Sequence, residues 1–171
     1  RGDGSTGFEI TELLHKIQCP TDIEGHRVII RGELIIPKAV FAEKYAGDFT
    51  NSRSMVNGLV NAKTRDDSTL ADVVFVAFEV LTEERHTHDR GLDTLFAMGF
   101  KTANSILLRS DEVTMDSLPL LYKRMNRETL YVLDGLVIYR NDRSYPLAQS
   151  GNPSYNVAFK PATEIRVVTV E

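Results

Sequence analysis

The sequence predicts a single domain of the α+β class. Helical and strand patterns both occur along the chain, but they do not alternate as repeated βαβ units. The 171 residues suit one domain or part of one, and the 42% hydrophobic and 26% charged positions are an ordinary globular composition. No glycine-rich dinucleotide fingerprint follows any predicted strand, so we do not expect a Rossmann domain.

Composition excludes several classes of protein. The sequence has no apolar run near the ~20 residues that a membrane span needs, and its first residues do not form a signal peptide. Cys19 is the only cysteine, which excludes an intrachain disulfide and a thiolate metal cluster. The net charge of −4 argues against a stand-alone nucleic-acid clamp. If the protein handles DNA, we expect other parts of a larger molecule to hold it.

The first elements are an amphipathic helix and a strand. Apolar residues at helical spacing predict a helix over residues 10–17. Residues 27–36 alternate with a period of two, which predicts a strand with Arg31 and Glu33 on its polar face. The apolar face of this strand consists of Val28, Ile30, Leu34 and Ile36.

The middle of the chain predicts three helices around a buried strand. Pro37 ends the first strand and suits the first turn of a helix through Tyr45. A second helix is predicted over residues 54–62, and the nearly continuous apolar run 73–81 predicts a strand buried on both faces. A third helix follows over residues 89–98, with Gly99 as its C-cap.

The last part of the chain predicts strands on either side of one helix. A short strand is expected over residues 106–108, and the helix that follows begins with Ser117 as a candidate N-cap. Residues 130–140 predict a strand that contains Asp134 and Gly135 in its interior. Residues 155–160 and 163–171 predict two more strands.

Five short motifs follow one another in a recognisable order. They are RGDGSTG at 1–7, RGE at 31–33, VAFEV at 76–80, LDGLVI at 133–138 and AFKP at 158–161. This series resembles the adenylation (nucleotidyltransferase) domain of NAD-dependent DNA ligases. The segment from Thr87 to Phe100 also resembles that family's helix ending in E-L-G-F, so the resemblance extends over nearly the whole chain.

The resemblance implies a fold, an activity and partners. It implies a nucleotidyltransferase core of antiparallel sheets with flanking helices, and an adenylate pocket between the sheets. In the family, a lysine attacks NAD to give adenylyl-lysine, the adenylate passes to a DNA 5′-phosphate, and the 3′-hydroxyl then seals the nick. It further implies NAD and Mg²⁺ as cofactors and nicked double-stranded DNA as the partner of the full-length protein. We expect an intracellular monomer without membrane contact, acting in replication and repair in the cytoplasm, the nucleoid or a viral replication site.

The catalytic lysine motif of the family is missing from this sequence. No lysine is followed by x-D-G, and the guanidinium of Arg1 in R-G-D-G stays protonated and cannot replace an amine. We therefore expect residues 1–171 to be a partial adenylation domain that begins after the K-x-D-G motif and lacks the OB-fold, so that the chain cannot adenylate itself. By resemblance, Arg1 would approach the ribose or phosphate of the adenylate.

The resemblance gives four further residues a role at the nucleotide. Glu33 would bind the ribose and help to hold the metal, although Arg-x-Glu in a strand alone indicates an exposed cross-strand ion pair. Phe78 would stack on adenine, the alternative being a core position. Asp134 would support the metal, since a carboxylate within an apolar strand needs a partner, which a structural hydrogen bond could also supply. Lys160 would contact the α-phosphate, the alternative being a surface lysine.

Basic residues outside these motifs would contact phosphates. Arg53 matches a family arginine that approaches the DNA near the nick, and Arg127 resembles another arginine of the nucleotide site. A second DNA-contacting arginine is Asn61 here, and Lys63 could partly replace it. A family lysine is replaced by Tyr139, which brings no positive charge at neutral pH.

Other interpretations of the sequence stay open. Tyr139 and Asn61 favour a nucleotide-binding module without catalysis, while an ATP-dependent ligase or a capping enzyme is disfavoured by the first and last motifs. His86 and His88 form an H-x-H pair beside acidic residues, and the flanking charges favour a solvated loop over a metal site. We therefore expect His88 to be dispensable.

Overall fold

A computed structural model describes residues 7, 9–23, 28–81, 86–145 and 153–161. These residues contain both helices and strands, and the strands form two small sheets. The elements in chain order are β1 (Ile29–Ile35), α1 (Lys38–Lys44), α2 (Ser52–Asn61), α3 (Asp67–Leu70), β2 (Val74–Leu81), α4 (His88–Ala97), β3 (Lys101–Thr102), α5 (Ser117–Glu128), β4 (Leu136–Tyr139) and β5 (Asn156–Phe159). Short 3₁₀ helices occur at Thr11–Leu13 and Ser110–Glu112.

The larger sheet has the order β1-β2-β3. Strands β1 and β2 are antiparallel, and β3 pairs with β2 in parallel. The smaller sheet is the antiparallel pair of β4 and β5. The α+β class predicted from the sequence is therefore confirmed, with antiparallel pairing as its dominant strand arrangement.

Two apolar clusters pack against the larger sheet. The first cluster includes buried residues of α2 and α3, and the second lies between β2 and α4. The first consists of Leu13, Ile17, Ile36, Met55, Val56, Leu70 and Val73. The second consists of Ala77, Leu92, Leu95 and Phe100. The Phe75 ring packs against both clusters and meets the Phe100 ring edge-on, with centroids 6.0 Å apart.

Most of the predicted helices and strands are present. Helix α1 begins after Pro37, and Gly99 adopts a positive φ of 86° after α4, which is the conformation that a glycine C-cap supplies. Helix α5 starts one residue earlier than predicted, because Asp116 is its N-cap and the Ser117 hydroxyl instead donates to the Glu112 carbonyl. The short helix α3 was not predicted.

The prediction of an α-helix over residues 10–17 was wrong. Only Thr11–Leu13 form a 3₁₀ helix, because the chain joins the larger sheet directly afterwards. There, the Gln18 amide donates to the Val73 carbonyl, and the Gln18 carbonyl accepts from the Phe75 amide. The predicted apolar face is nevertheless correct, since Leu13 and Ile17 are buried.

Two predicted strands differ from the structure. Residues 106–108 are exposed and form no strand, because Lys101–Thr102 occupy the edge of β2 and the Ala103 amide continues that pairing. The strand predicted over residues 130–140 contains only Leu136–Tyr139. The residues before this strand hydrogen-bond to α5 instead: the Tyr122 hydroxyl donates to the Leu133 carbonyl at 2.9 Å. The strand predicted over residues 163–171 lies outside the described residues.

None of the helices in the described ranges is long and apolar enough to cross a membrane.

Candidate functional site

The outer face of the larger sheet carries charged side chains from both of its long strands. Glu33 and Arg31 lie on the face of β1 opposite to the buried Ile36. Arg31 does not pair with Glu33. It forms a cross-strand ion pair with Glu79 of β2 at 2.9 Å. Arg31 thus makes the exposed cross-strand ion pair that was the alternative interpretation of Arg-x-Glu, whereas Glu33 has a different partner.

That partner is Arg53, whose guanidinium joins two carboxylates that are 101 positions apart in sequence. Arg53 Nη2 lies 2.8 Å from Glu33 Oε1, and Arg53 Nη1 lies 2.9 Å from Asp134 Oδ2. We call these three residues the carboxylate–arginine cluster. The hydrogen bond to Glu33 and the charge of its carboxylate raise the pKa of Arg53, so the guanidinium stays protonated.

The cluster is open to solvent. The side chains of Arg53, Glu33 and Asp134 are 60%, 55% and 62% exposed. Ion pairs in such positions contribute about 0.2–1 kcal/mol each, so the cluster is a weak source of stability. Its polar atoms are accessible to a ligand.

The N-terminus of α2 holds Arg53 in position. Asn51 adopts an extended conformation, and its side-chain oxygen accepts from the Ser54 amide at 2.8 Å. This is the usual hydrogen bond of an N-cap, and it fixes the first helical turn in which Arg53 lies. The cap residue was not predicted from the sequence, although Asn at that place is a recognised helix-start signal.

Asp134 lies in a different environment from the one predicted. It precedes β4 in an irregular segment and is exposed, so it is not a carboxylate buried in an apolar strand. The partner expected for it exists within the protein as the Arg53 guanidinium. The sequence prediction failed because the backbone of Leu133, directly before Asp134, hydrogen-bonds to Tyr122 and Asn126 of α5 and not to a neighbouring strand.

Lys160 lies beside the residue that follows Asp134. Leu136 of β4 is opposite Phe159 of β5, so Gly135 and Lys160 are the next pair in this register. A Cβ atom on Gly135 would lie 2.5 Å from the Phe159 carbonyl oxygen and 3.3 Å from Lys160 Cγ. Glycine therefore permits the close approach of the end of β5 to the residue that follows Asp134.

Gly32 has a packing role in the larger sheet. A Cβ atom on this glycine would overlap the Phe75 ring and lie 2.6 Å from the Val76 carbonyl oxygen. The glycine is thus required by the neighbouring strand of the same sheet.

Phe78 lies at a bulge in β2. Arg31 is opposite Glu79 and Gly32 is opposite Ala77, which leaves Phe78 without a directly opposed residue. Ala77 packs in the second apolar cluster, and Glu79 pairs with Arg31 on the charged face. The bulge interrupts the side-chain alternation at Phe78, whose ring is half-buried, and Phe78 is not among the residues of either apolar cluster.

Two other predicted site residues that the structure describes are not part of the cluster. Lys63 follows the C-terminal end of α2, about 15 Å along the helix from Arg53. Arg127 is exposed in the last turn of α5, and the ion pairs that the structure describes for Glu33 and Asp134 involve Arg53 instead. Asn61 donates to the Asn57 carbonyl within its own helix. Arg1 lies outside the described residues.

His88 and Tyr139 form a contact that the sequence did not predict. Their rings are stacked, with centroids 3.7 Å apart and planes inclined by 6°. Burial lowers the pKa of His88, against the opposing charges of Glu79 and Asp89, and burial raises the pKa of Tyr139. His88 is half-buried in the first turn of α4, so the prediction of a solvated loop was wrong for this residue.

The two carboxylates of the cluster are candidate ligands for a metal ion. In the parts of the chain that the structure describes, no group of three or more His, Cys, Asp or Glu residues could hold a metal. Glu33 and Asp134 offer two carboxylates, which fits a Mg²⁺ ion that completes its octahedral shell with water and substrate phosphate. It does not fit a site made of protein ligands alone.

A comparison with known protein families identifies the family of this chain. The family described as the NAD-dependent DNA ligase adenylation domain matches residues 1–163. The chain therefore belongs to the NAD-dependent DNA ligase adenylation domain family.

Individual relatives carry the name DNA ligase. The DNA ligase of Acanthamoeba polyphaga mimivirus is 33% identical over 168 residues, which are 95% of this chain and 26% of the viral protein. The DNA ligase of Halalkalibacterium halodurans is 30% identical over 183 residues, covering 96% of this chain and 27% of the bacterial protein. The chain thus spans about a quarter of the length of these relatives.

Proposed function

We propose that this chain provides the adenylate-binding surface of an NAD-dependent DNA ligase with a nucleotidyltransferase core. The parent activity would be nick sealing in double-stranded DNA through adenylyl-lysine and DNA–adenylate intermediates, carried out inside the cell by a monomer. The observation that supports it most directly is the carboxylate–arginine cluster, which brings together residues from β1, α2 and the segment before β4 on one exposed surface. Lys160 follows β5 and is opposite Gly135, the residue after Asp134, so we propose that it adds a cation to this surface.

The charges of this surface suit a nucleotide monophosphate. Lys160 and Arg53 would offset phosphoryl charge, since fixed cations at the reacting phosphate stabilise its transition state. Glu33 would accept hydrogen bonds from the ribose hydroxyls, and Phe78 would offer its ring to the adenine. Glu33 and Asp134 would bind Mg²⁺ together with the phosphate. When bound, that ion supplies charge neutralisation at the phosphoryl group.

The remaining predicted basic residues would contact the DNA or the nucleotide. Lys63 and Arg53 would contact DNA phosphates from opposite ends of α2, which positions DNA without reading its bases. Arg127 and Arg1 would contact the nucleotide from segments outside the cluster. The ion pairs of Arg53 with Glu33 and Asp134 would have to loosen when a phosphate or a metal ion binds.

A nucleotide-binding module without catalysis is the second candidate function. It is favoured by Tyr139 and Asn61, which stand at positions that are basic in the family. We propose that the chain by itself binds the adenylate without becoming covalently adenylated. Incubation with NAD and Mg²⁺ followed by mass spectrometry should leave its mass unchanged, and a gain of one adenylyl group would contradict this proposal.

The experiment that tests the nucleotide site is calorimetric titration of the chain with AMP. We expect Lys160→Ala to weaken AMP binding at least tenfold, because the phosphate loses a fixed cation. Lys101→Ala is the matched control, since Lys101 is an exposed lysine at the end of another strand. Equal AMP affinity in the unsubstituted chain and the Lys160 variant would remove Lys160 from the site.

A further inference from the structure

The His88–Tyr139 stack is held rigidly between three elements. Thr87 is the N-cap residue of α4, and the Asp89 amide donates to the Asn141 side-chain oxygen at 3.2 Å, which ties the start of α4 to the end of β4. On β4, Tyr139 is directly opposite Asn156 of β5. The ring of Tyr139 is therefore covered at one face by His88 and held in the sheet by its pairing with β5.

The stack and Lys160 lie at opposite ends of one face of the smaller sheet. In the antiparallel register, Val137, Tyr139, Ala158 and Lys160 project from the same face. Gly135, opposite Lys160, precedes Tyr139 by four residues, a distance of about 13 Å along an extended strand. This length is comparable to that of an extended nucleoside monophosphate.

The face between these two ends is apolar and accessible. Val137 is 55% exposed, and its cross-strand neighbour Ala158 is exposed as well. The charges of Glu79 and Arg31 act on the Tyr139 hydroxyl, so the far end of this face lies near the Arg31–Glu79 ion pair of the larger sheet. A ligand bound along it would have its phosphate at Lys160 and its other end at Tyr139.

We propose that Tyr139 forms the wall for the base at the far end of this face and that His88 is the positioning residue that fixes Tyr139. The inference rests on the proposed nucleotide site and specifies its base end. Because His88 covers one face of the Tyr139 ring, a base meets the other face or the edge of a ring that is already immobilised. Such preorganisation lowers the entropic cost of binding.

This arrangement replaces a charged group with an uncharged one. The family lysine expected at position 139 could bind through its ammonium group, whereas the phenol of Tyr139 is neutral and His88 is kept neutral by burial. The base end of the site would therefore use aromatic surface in place of charge. His88 acquires a role that its sequence context did not indicate, since the flanking acidic residues favoured a solvated loop.

Three probes separate the two ends of the site. AMP carries phosphate, ribose and base, adenosine lacks the phosphate, and ribose 5-phosphate lacks the base. Their dissociation constants for the 171-residue chain are measured by NMR titration. We expect His88→Ala to weaken the binding of AMP and of adenosine about tenfold, which is the range of one base–aromatic stack. The affinity for ribose 5-phosphate should not change. Lys160→Ala should weaken the binding of AMP and of ribose 5-phosphate and leave the affinity for adenosine unchanged.

Two further variants control for the role of His88. His88→Phe keeps a planar ring and should retain AMP affinity within about twofold of the unsubstituted chain. His15→Ala removes an exposed histidine elsewhere and should change none of the three affinities. If His88→Ala fails to fold, the unsubstituted chain still provides a test. The ring resonances of Tyr139 should shift on adding AMP or adenosine and should not shift on adding ribose 5-phosphate.

The inference would be overturned if His88→Ala weakened all three probes equally, or none of them, or if the Tyr139 resonances responded to ribose 5-phosphate as they do to AMP. These results would leave the proposed nucleotide site intact as long as Lys160→Ala still weakened AMP. Failure of the unsubstituted chain to bind any of the three probes would instead refute the nucleotide site, and the base wall with it.

Discussion

The two faces of β1 have opposite physical properties. On one face, Ile36 directly after the strand is 0% exposed and packs in the first apolar cluster with Leu34 against it. On the other face, Glu33 is more than half exposed, and its partner Arg53 comes from a different element. Adjacent residues of one strand thus belong to the packed core and to the candidate site.

The difference shows how the molecule separates stability from binding. The core face gains free energy from apolar burial, which requires close packing and tolerates little change. The charged face is held by exposed ion pairs of about 0.2–1 kcal/mol each, which can rearrange when a ligand arrives. We therefore expect substitutions on the core face to affect unfolding and substitutions on the charged face to affect binding.

The largest effect on stability is expected from truncation in the first apolar cluster. Leu70→Ala should lower the free energy of unfolding by about 2–5 kcal/mol, because it removes a fully buried side chain and leaves a cavity. Leu107→Ala is the matched control, since Leu107 is 74% exposed, and its change should be within about 0.5 kcal/mol. Urea unfolding followed by circular dichroism measures both. Similar losses in the two variants would show that the cluster is not the core.

A smaller loss is expected from a side chain added within β1. Gly32→Ala should destabilise the chain by about 1–3 kcal/mol, because the new Cβ would collide with the Phe75 ring and the Val76 carbonyl oxygen. Gly58→Ala is the control, because Gly58 is in α2 with no atom near its Cβ position. That variant should gain about 0.5–1 kcal/mol from helix propensity. If Gly32→Ala is neutral in urea unfolding, the assigned packing of Phe75 on β1 is incorrect.

On the charged face, stability and binding should separate. Arg53→Ala should cost no more than about 2 kcal/mol in urea unfolding, because it removes two exposed ion pairs of about 0.2–1 kcal/mol each. The same variant should weaken AMP binding in calorimetry, since the proposed site loses a cation. A large loss of stability with unchanged AMP affinity would reverse our assignment of this face.

The smallest effect is expected from a helix cap at the edge of the first cluster. Hydrogen bonds from Ser68 and Thr69 lower the pKa of Asp66 to about 2, from an ordinary value of 3.8. Because the pKa is lower in the folded state, the stabilisation is fully present above pH 3.8 and is lost as the pH falls towards 2. Asp66→Asn should therefore reduce the loss of thermal stability between pH 4 and pH 2. An unchanged pH profile would show that these hydrogen bonds do not stabilise the folded chain.

Local patterns were sufficient for much of the fold and part of the site. The alternation in residues 27–36 correctly assigned Glu33 to the polar face, and the helix-start and helix-stop residues placed α1 and α4 within one or two positions. Resemblance to a family selected Glu33, Asp134 and Lys160 as site residues, and their roles stay predictions. The segment before Asp134 was assigned wrongly because an apolar run is compatible with a strand or with packing against a helix.

The sequence by itself determined which residues face the core, because side-chain periodicity and hydrophobicity are local properties of the chain. It also contained the ordered motifs that identify the family. Only the tertiary structure decided the partners: Arg53 with Glu33 and Asp134, Gly32 with the Phe75 ring, and His88 with Tyr139. Such pairs depend on how sheets and helices are placed relative to one another, and residues 51 or 81 positions apart carry no local signal of their contact.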